Sequence, residues 1–112
     1  MSFLNKAKTE REFIIEAIKK AEENGFQDLN KKQTLNPGDK VYFVNRGKSM
    51  YLAVIGTEKI ENGIQIIGSH IDSPRLDLKP NPLCEEDDFA YFKTHYYGGI
   101  KKYQWTTIPL SL

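Results

Sequence analysis

Apolar residues first recur with helical spacing at Phe13, Ile14, Ala17, Ile18 and Ala21, which fall on one stripe of a 3.6-residue period. Thr9 with Glu12 three residues later forms a capping box ahead of that stripe, and Gly25 stands where a left-handed residue ends a helix. The pattern predicts an amphipathic helix over residues 10–24 whose role is packing, with Glu16 and Lys20 as an i,i+4 pair on its solvent side. Residues 27–39 are polar, and Pro37-Gly38-Asp39 reads as a turn. The apolar period then shortens. Val41–Val44 predicts a first strand, Asn45–Lys48 a hairpin turn, and Met50–Ile55 a second strand too continuously apolar to keep one face in water. Glu61-Asn62-Gly63 predicts a type I′ turn, because Asn-Gly tolerates positive φ. Ile64, Ile66 and Ile67 then predict a third, buried strand over 64–69. A helix covering a meander of this kind is an α/β arrangement.

The third predicted strand runs through Gly68 and Ser69 into His70 and Asp72, followed by Ser73-Pro74. A titratable pair at the end of a buried strand is where α/β proteins keep their sites. In extended chain, residues i and i+2 share a face, so His70 and Asp72 face one cavity while Ile71 faces the core. A neutral imidazole ligates zinc at about 2.0–2.1 Å, and its second ring nitrogen commonly donates to a carboxylate, a part open to Asp72. Pro74 holds Ser73 in an extended conformation. On the bare His-x-Asp pattern, a solvated strand end is the competing reading.

Beyond the pair, Glu85-Glu86-Asp87-Asp88 reads as a solvated, self-repelling loop rather than a cation site, because it lacks a glycine-punctuated calcium loop. Phe89–Tyr97 is aromatic and β-prone, and His95 within it reads as a packed or surface residue. Trp105, Ile108, Leu110 and Leu112 suggest a further strand, with Pro109 near an edge or bulge.

Composition narrows the function classes. The 112 residues are 39% hydrophobic and 28% charged with a formal net charge of +1, which suits one small domain or part of a larger one. That balance gives no basis for a nucleic-acid or membrane-surface partner. No stretch has signal-peptide or membrane-spanning character. The single cysteine, Cys84, cannot close an internal disulfide and fits a reducing cytoplasm.

The block Ser69-His70-Ile71-Asp72-Ser73-Pro74-Arg75-Leu76-Asp77-Leu78-Lys79-Pro80-Asn81-Pro82 resembles the signature of the M18 metallo-aminopeptidases, the aspartyl aminopeptidase family. Its members carry Ser/Ala-His-Thr-Asp-Ser-Pro followed by Leu-x-Leu/Val-Lys-Pro. Tyr97-Gly98-Gly99, with Trp105 and Leu110 behind it, matches a second family stretch at the expected distance, and the likeness runs from about Thr9 onward. The resemblance implies that His70 is the first zinc ligand and that Asp72 is a catalytic carboxylate buttressing the metal site. Ile71 stands where the family often has Thr. After Tyr-Gly-Gly many members carry Trp and an Asp-Arg-Asp-Leu run, whereas this chain reads Lys101–Leu110 without it, which points to a bacterial branch and leaves an acidic-residue preference open.

The same resemblance implies a metal-dependent aminopeptidase that releases N-terminal residues from peptide substrates, with two zinc ions per complete site. Other divalent metals are compatible with one His. It implies that residues 1–79 begin the catalytic domain and that residues 80–112 begin a β-rich dimerisation domain, in a homo-oligomer built from dimers into a dodecamer. Only His70 and Asp72 match the expected ligand set, whereas a zinc peptidase site needs three or four ligands. The bridging Asp, the Glu-Glu pair with the general base, and the later Asp and His ligands fall beyond Leu112 in family members. The expectation is therefore an N-terminal fragment, inactive alone, of a protein several-fold longer. The alternative, from another class, is a non-catalytic binding or assembly segment.

Overall fold

Local chemistry sets the first helix pair. A computed structural model describes residues 2–110, and the chain divides into two compact units, Met1–Ile71 and Asp72–Leu112. In the first unit, a short helix α1 (Ser2–Lys6) precedes helix α2 (Glu10–Glu23). Thr9 caps α2 reciprocally with Glu12: the Glu12 amide donates to the Thr9 hydroxyl at 3.3 Å, and the Thr9 amide donates to the Glu12 carboxylate at 3.0 Å. At the far end Gly25 has φ +82°, and the amides of Gly25 and Phe26 donate to the carbonyls of Glu22 and Ala21. These are the two bonds of a Schellman motif. Glu16 pairs with Lys19 at 2.6 Å rather than with Lys20, whose ammonium lies 5.8 Å from the Phe3 ring.

Sheet order is β1-β2-β3, with β1 (Gln27–Asp28) parallel to β2 (Lys40–Asn45), and β2 antiparallel to β3 (Ser49–Val54). Helices and a mixed sheet make this the α/β arrangement expected. The buried core is Ala7, Ile14, Ala21, Val41 and Tyr42. Tyr42 points to α2, where its hydroxyl donates to the Glu22 carboxylate at 2.8 Å, and alternation places Val41 on the other face.

That hydrogen bond, together with burial, raises the Tyr42 hydroxyl from 10.0 to about 12. A pKa raised on folding contributes stability that is complete below pH 10 and is lost as pH climbs through 12. Tyr42→Phe is expected to lower unfolding free energy by about 1–2 kcal/mol near neutral pH. In denaturant titrations the gap to the parent protein narrows between pH 10 and 12.

Two sequence expectations change in the first unit. The second strand forms, but Tyr51, Leu52 and Val54 are exposed: β3 is the outer strand of the sheet, paired only with β2. The third strand does not form. Ile60–Asn62 is a 3-10 turn followed by Gly63 at φ 113°, and residues 64–74 carry no regular secondary structure. Ile64, Ile66 and Ile67 are exposed, Ile67 at 99%. A buried strand needs paired edges and covered faces, and no strand of the described residues pairs with 64–69.

The second unit is built on a hairpin of β4 (Arg75–Glu86) and β5 (Phe89–Tyr97). Its turn is Asp87-Asp88, both left-handed at φ 52° and 62°, the backbone of a type I′ turn that Asp tolerates. The acidic run is therefore the closing turn of a hairpin and not a loop, since Glu85 and Glu86 pair with Ala90 and Phe89. Pro80 and Pro82 sit where the register shifts between Leu78 and Leu83, the position in a ladder that lets a strand carry proline. Past Tyr97, residues Lys102–Trp105 form a short helix, α3, in place of the strand suggested for this region. The hydroxyls of Thr106 and Thr107 donate to the carbonyls of Tyr103 and Gln104, at 3.0 and 2.9 Å. Such local bonds close a turn instead of extending it. Leu112 lies outside the described residues.

Candidate functional site

His70 lies near the end of the first unit, in the stretch without regular secondary structure, and is exposed. The Ser69 hydroxyl donates to the His70 carbonyl at 3.1 Å. Asp72 opens the second unit and is half-buried. The two residues thus stand at the end of an irregular segment, not on a strand that has just left the core.

Asp72 is placed by the hairpin. Pairing of Arg75 with Tyr97 and of Leu76 with Tyr96 sets the register at the hairpin's open end, so the chain after Tyr97 runs back along the chain before Arg75. Gly98 there has φ +70°. A β-carbon built on Gly98 would lie 3.3 Å from the Pro74 Cα, and 3.4 Å from both the Pro74 nitrogen and the Asp72 Oδ2. The first family-like stretch and the second, Tyr97-Gly98-Gly99, are therefore neighbours. Arg75 fastens the junction: its guanidinium lies 4.3 Å from the Tyr97 ring centre, and its Nε donates to both Asp77 oxygens, at 3.1 and 3.2 Å. An Arg stacked on an aromatic face in this way contributes on the order of 0.5–1 kcal/mol at an exposed site.

An exposed imidazole and a carboxylate are donors of the kind zinc takes. Among the described residues no three His, Cys, Asp or Glu side chains gather as a metal-holding group, so the pair matches zinc in kind but falls short of a peptidase centre in number. His95 lies in β5 opposite Asp77, with ring centres 5.9 Å from Tyr96 and 4.9 Å from Tyr97. It belongs to an aromatic cluster on the hairpin. Of the four acids, Glu85 and Glu86 end β4 and Asp87-Asp88 form the turn, and Cys84 is half-buried in β4 opposite Tyr91. Sequence reasoning gave no part to Arg75, Tyr97 or Gly98 beside Asp72. The signal lay in the register of two strands, of which only the second was anticipated. No helix of the described residues is long and apolar enough to cross a membrane.

Residues 3–112 match the family model of the aminopeptidase I zinc metalloproteases, M18. A protein named "Probable M18 family aminopeptidase 1" from Clostridium acetobutylicum is 53% identical over 115 residues, covering 99% of this chain and 25% of its own length. The crystal structure of aminopeptidase I from Borrelia burgdorferi B31 superposes with a TM-score of 0.75 at 51% identity, over 93% of this chain and 26% of that one. The crystal structure of an M18 aminopeptidase from Thermotoga maritima gives 0.73 at 47% identity, over 97% of this chain and 24% of that one. The chain thus spans about a quarter of the length of the relatives it matches. With nearly every residue inside the match, the chain belongs to the M18 family of zinc metallo-aminopeptidases.

Proposed function

We propose that the protein containing this chain is a zinc-dependent aminopeptidase that releases N-terminal residues from peptides, with His70 as a metal ligand and Asp72 as the carboxylate that orients the site. The observation that carries this reading is the His70-Ile71-Asp72-Ser73-Pro74 block inside a family match over residues 3–112. Zinc, when bound, polarises the scissile carbonyl and acidifies a water. His70 would offer one ring nitrogen to the metal. Asp72 would hold tautomer and tilt, the role carboxylates take beside metal-bound imidazoles.

The remaining donors and the general base would come from the rest of the protein, which would also cover β3 and the exposed isoleucines of 64–67. Two ions per site, a domain change near residue 80, assembly through dimers into a dodecamer, and a cytoplasmic location belong to the same proposal.

The short donor set among the described residues favours a second reading for the 112 residues taken alone, as an assembly segment without catalysis. One assay separates the two. The complete protein is expected to hydrolyse aminoacyl-nitroanilides, to lose activity on chelation and to regain it with zinc, while the 112-residue chain alone stays inactive. Turnover that survives full removal of metal would refute the proposal.

A further inference from the structure

The Gly98 backbone stands against the segment that carries Asp72, at a place where a β-carbon would be in tight contact. A β-carbon there would press on the Pro74 backbone at 3.3 Å and meet the Asp72 carboxylate at 3.4 Å. Pro74 cannot yield by a rotamer change, because the atoms met are its Cα and N, and its ring fixes φ. Relief would have to come from moving the Asp72–Pro74 backbone by a few tenths of an ångström. The Arg75–Tyr97 stack at 4.3 Å and the Arg75–Tyr97 pairing of the two strands hold the neighbouring chain in register, so the shift would be concentrated on Asp72. Gly99, one residue on, has open space around its Cβ position and no left-handed φ.

We infer that Tyr97-Gly98 is a positioning element for Asp72: its bare backbone at Gly98, clamped by Tyr97 under Arg75, sets where the Asp72 carboxylate projects. This rests on the reading of Asp72 as the orienting carboxylate of the zinc site. The residues whose geometry sets Asp72 all lie within the second unit.

The test compares Gly98→Ala, Gly98→Asn and Gly99→Ala in the complete protein, reading kcat and KM separately, zinc retained against a graded chelator, and far-UV circular dichroism. Asn tolerates a left-handed backbone but still carries a β-carbon. Both Gly98 variants are therefore expected to lose about 10-fold or more in kcat and in zinc retention, with KM and secondary structure unchanged, while Gly99→Ala matches the parent. Recovery in Gly98→Asn would overturn the inference by assigning the effect to backbone conformation alone, as would a folded Gly98→Ala with the parent's kcat and zinc retention. If Gly98→Ala yields no folded protein, Tyr97→Leu decides. A folded Tyr97→Leu with reduced kcat and zinc retention supports the clamp, and one that keeps both values overturns it. A parent protein without zinc or peptidase activity would instead sink the reading of the site itself.

Discussion

On the proposed reading, replacing His70 by alanine in the complete protein is expected to abolish peptide turnover and weaken zinc binding. With His70 as a proposed ligand, the substitution would remove it outright, and a zinc site with three protein ligands reduced to two neither holds the ion firmly nor fixes its open position. The loss should exceed the 10–100-fold that follows from removing an outer partner of a ligand. His70 lies outside regular secondary structure, and a melting curve beside the assays separates loss of the site from loss of the fold. Metal content by mass spectrometry beside a nitroanilide assay checks the expectation. Parent-like zinc content and turnover in His70→Ala would remove His70 from the site.

The second large effect is expected at Asp72. Asp72→Ala should lower zinc affinity or turnover by about 10–100-fold, a smaller loss than at His70 because, on the proposed reading, the metal would keep its ligands while one would lose its orientation. Asp72→Asn separates charge from shape, since the amide oxygen can still accept a hydrogen bond but brings no negative charge. If orientation dominates, Asn recovers part of the loss. If charge dominates, Asn behaves as Ala does. The ordering His70→Ala below Asp72→Ala, measured as kcat with zinc saturating, checks the division of roles, and the reverse ordering would show the roles exchanged.

How far the sequence revealed this molecule depends on how local each determinant is. Helix α2 was legible to within a residue because the Thr9–Glu12 cap, the apolar stripe and Gly25 all act over one turn. The β2–β3 hairpin was legible for a similar reason. The expected strand over 64–69 failed because a buried strand is defined by its neighbours, and periodicity alone does not supply them. The Asp87-Asp88 turn was hidden because two acids announce positive φ less clearly than Asn-Gly does, so the charge run read as a loop. The region around Trp105 was apolar enough for a strand, yet Thr106 and Thr107 hydroxyls close local turns there.

The candidate site divides along the same line. His70 and Asp72 stand two residues apart and were legible as a motif. The apposition of Gly98 to Asp72 and Pro74 is 24 residues or more distant in sequence and follows from the Arg75–Tyr97 register. Spacing within either stretch could not disclose it. That register brings the two family-like stretches together within one hairpin, which gives a physical reason for both to occur in one chain.

The most direct test of the zinc assignment is a crystal structure of the complete, metal-loaded protein with anomalous data collected at the zinc edge. A zinc peak is expected at about 2.0–2.1 Å from a ring nitrogen of His70, with the Asp72 carboxylate in the surrounding shell. Zinc bound wholly by other residues, with the His70 imidazole turned into solvent, would contradict it.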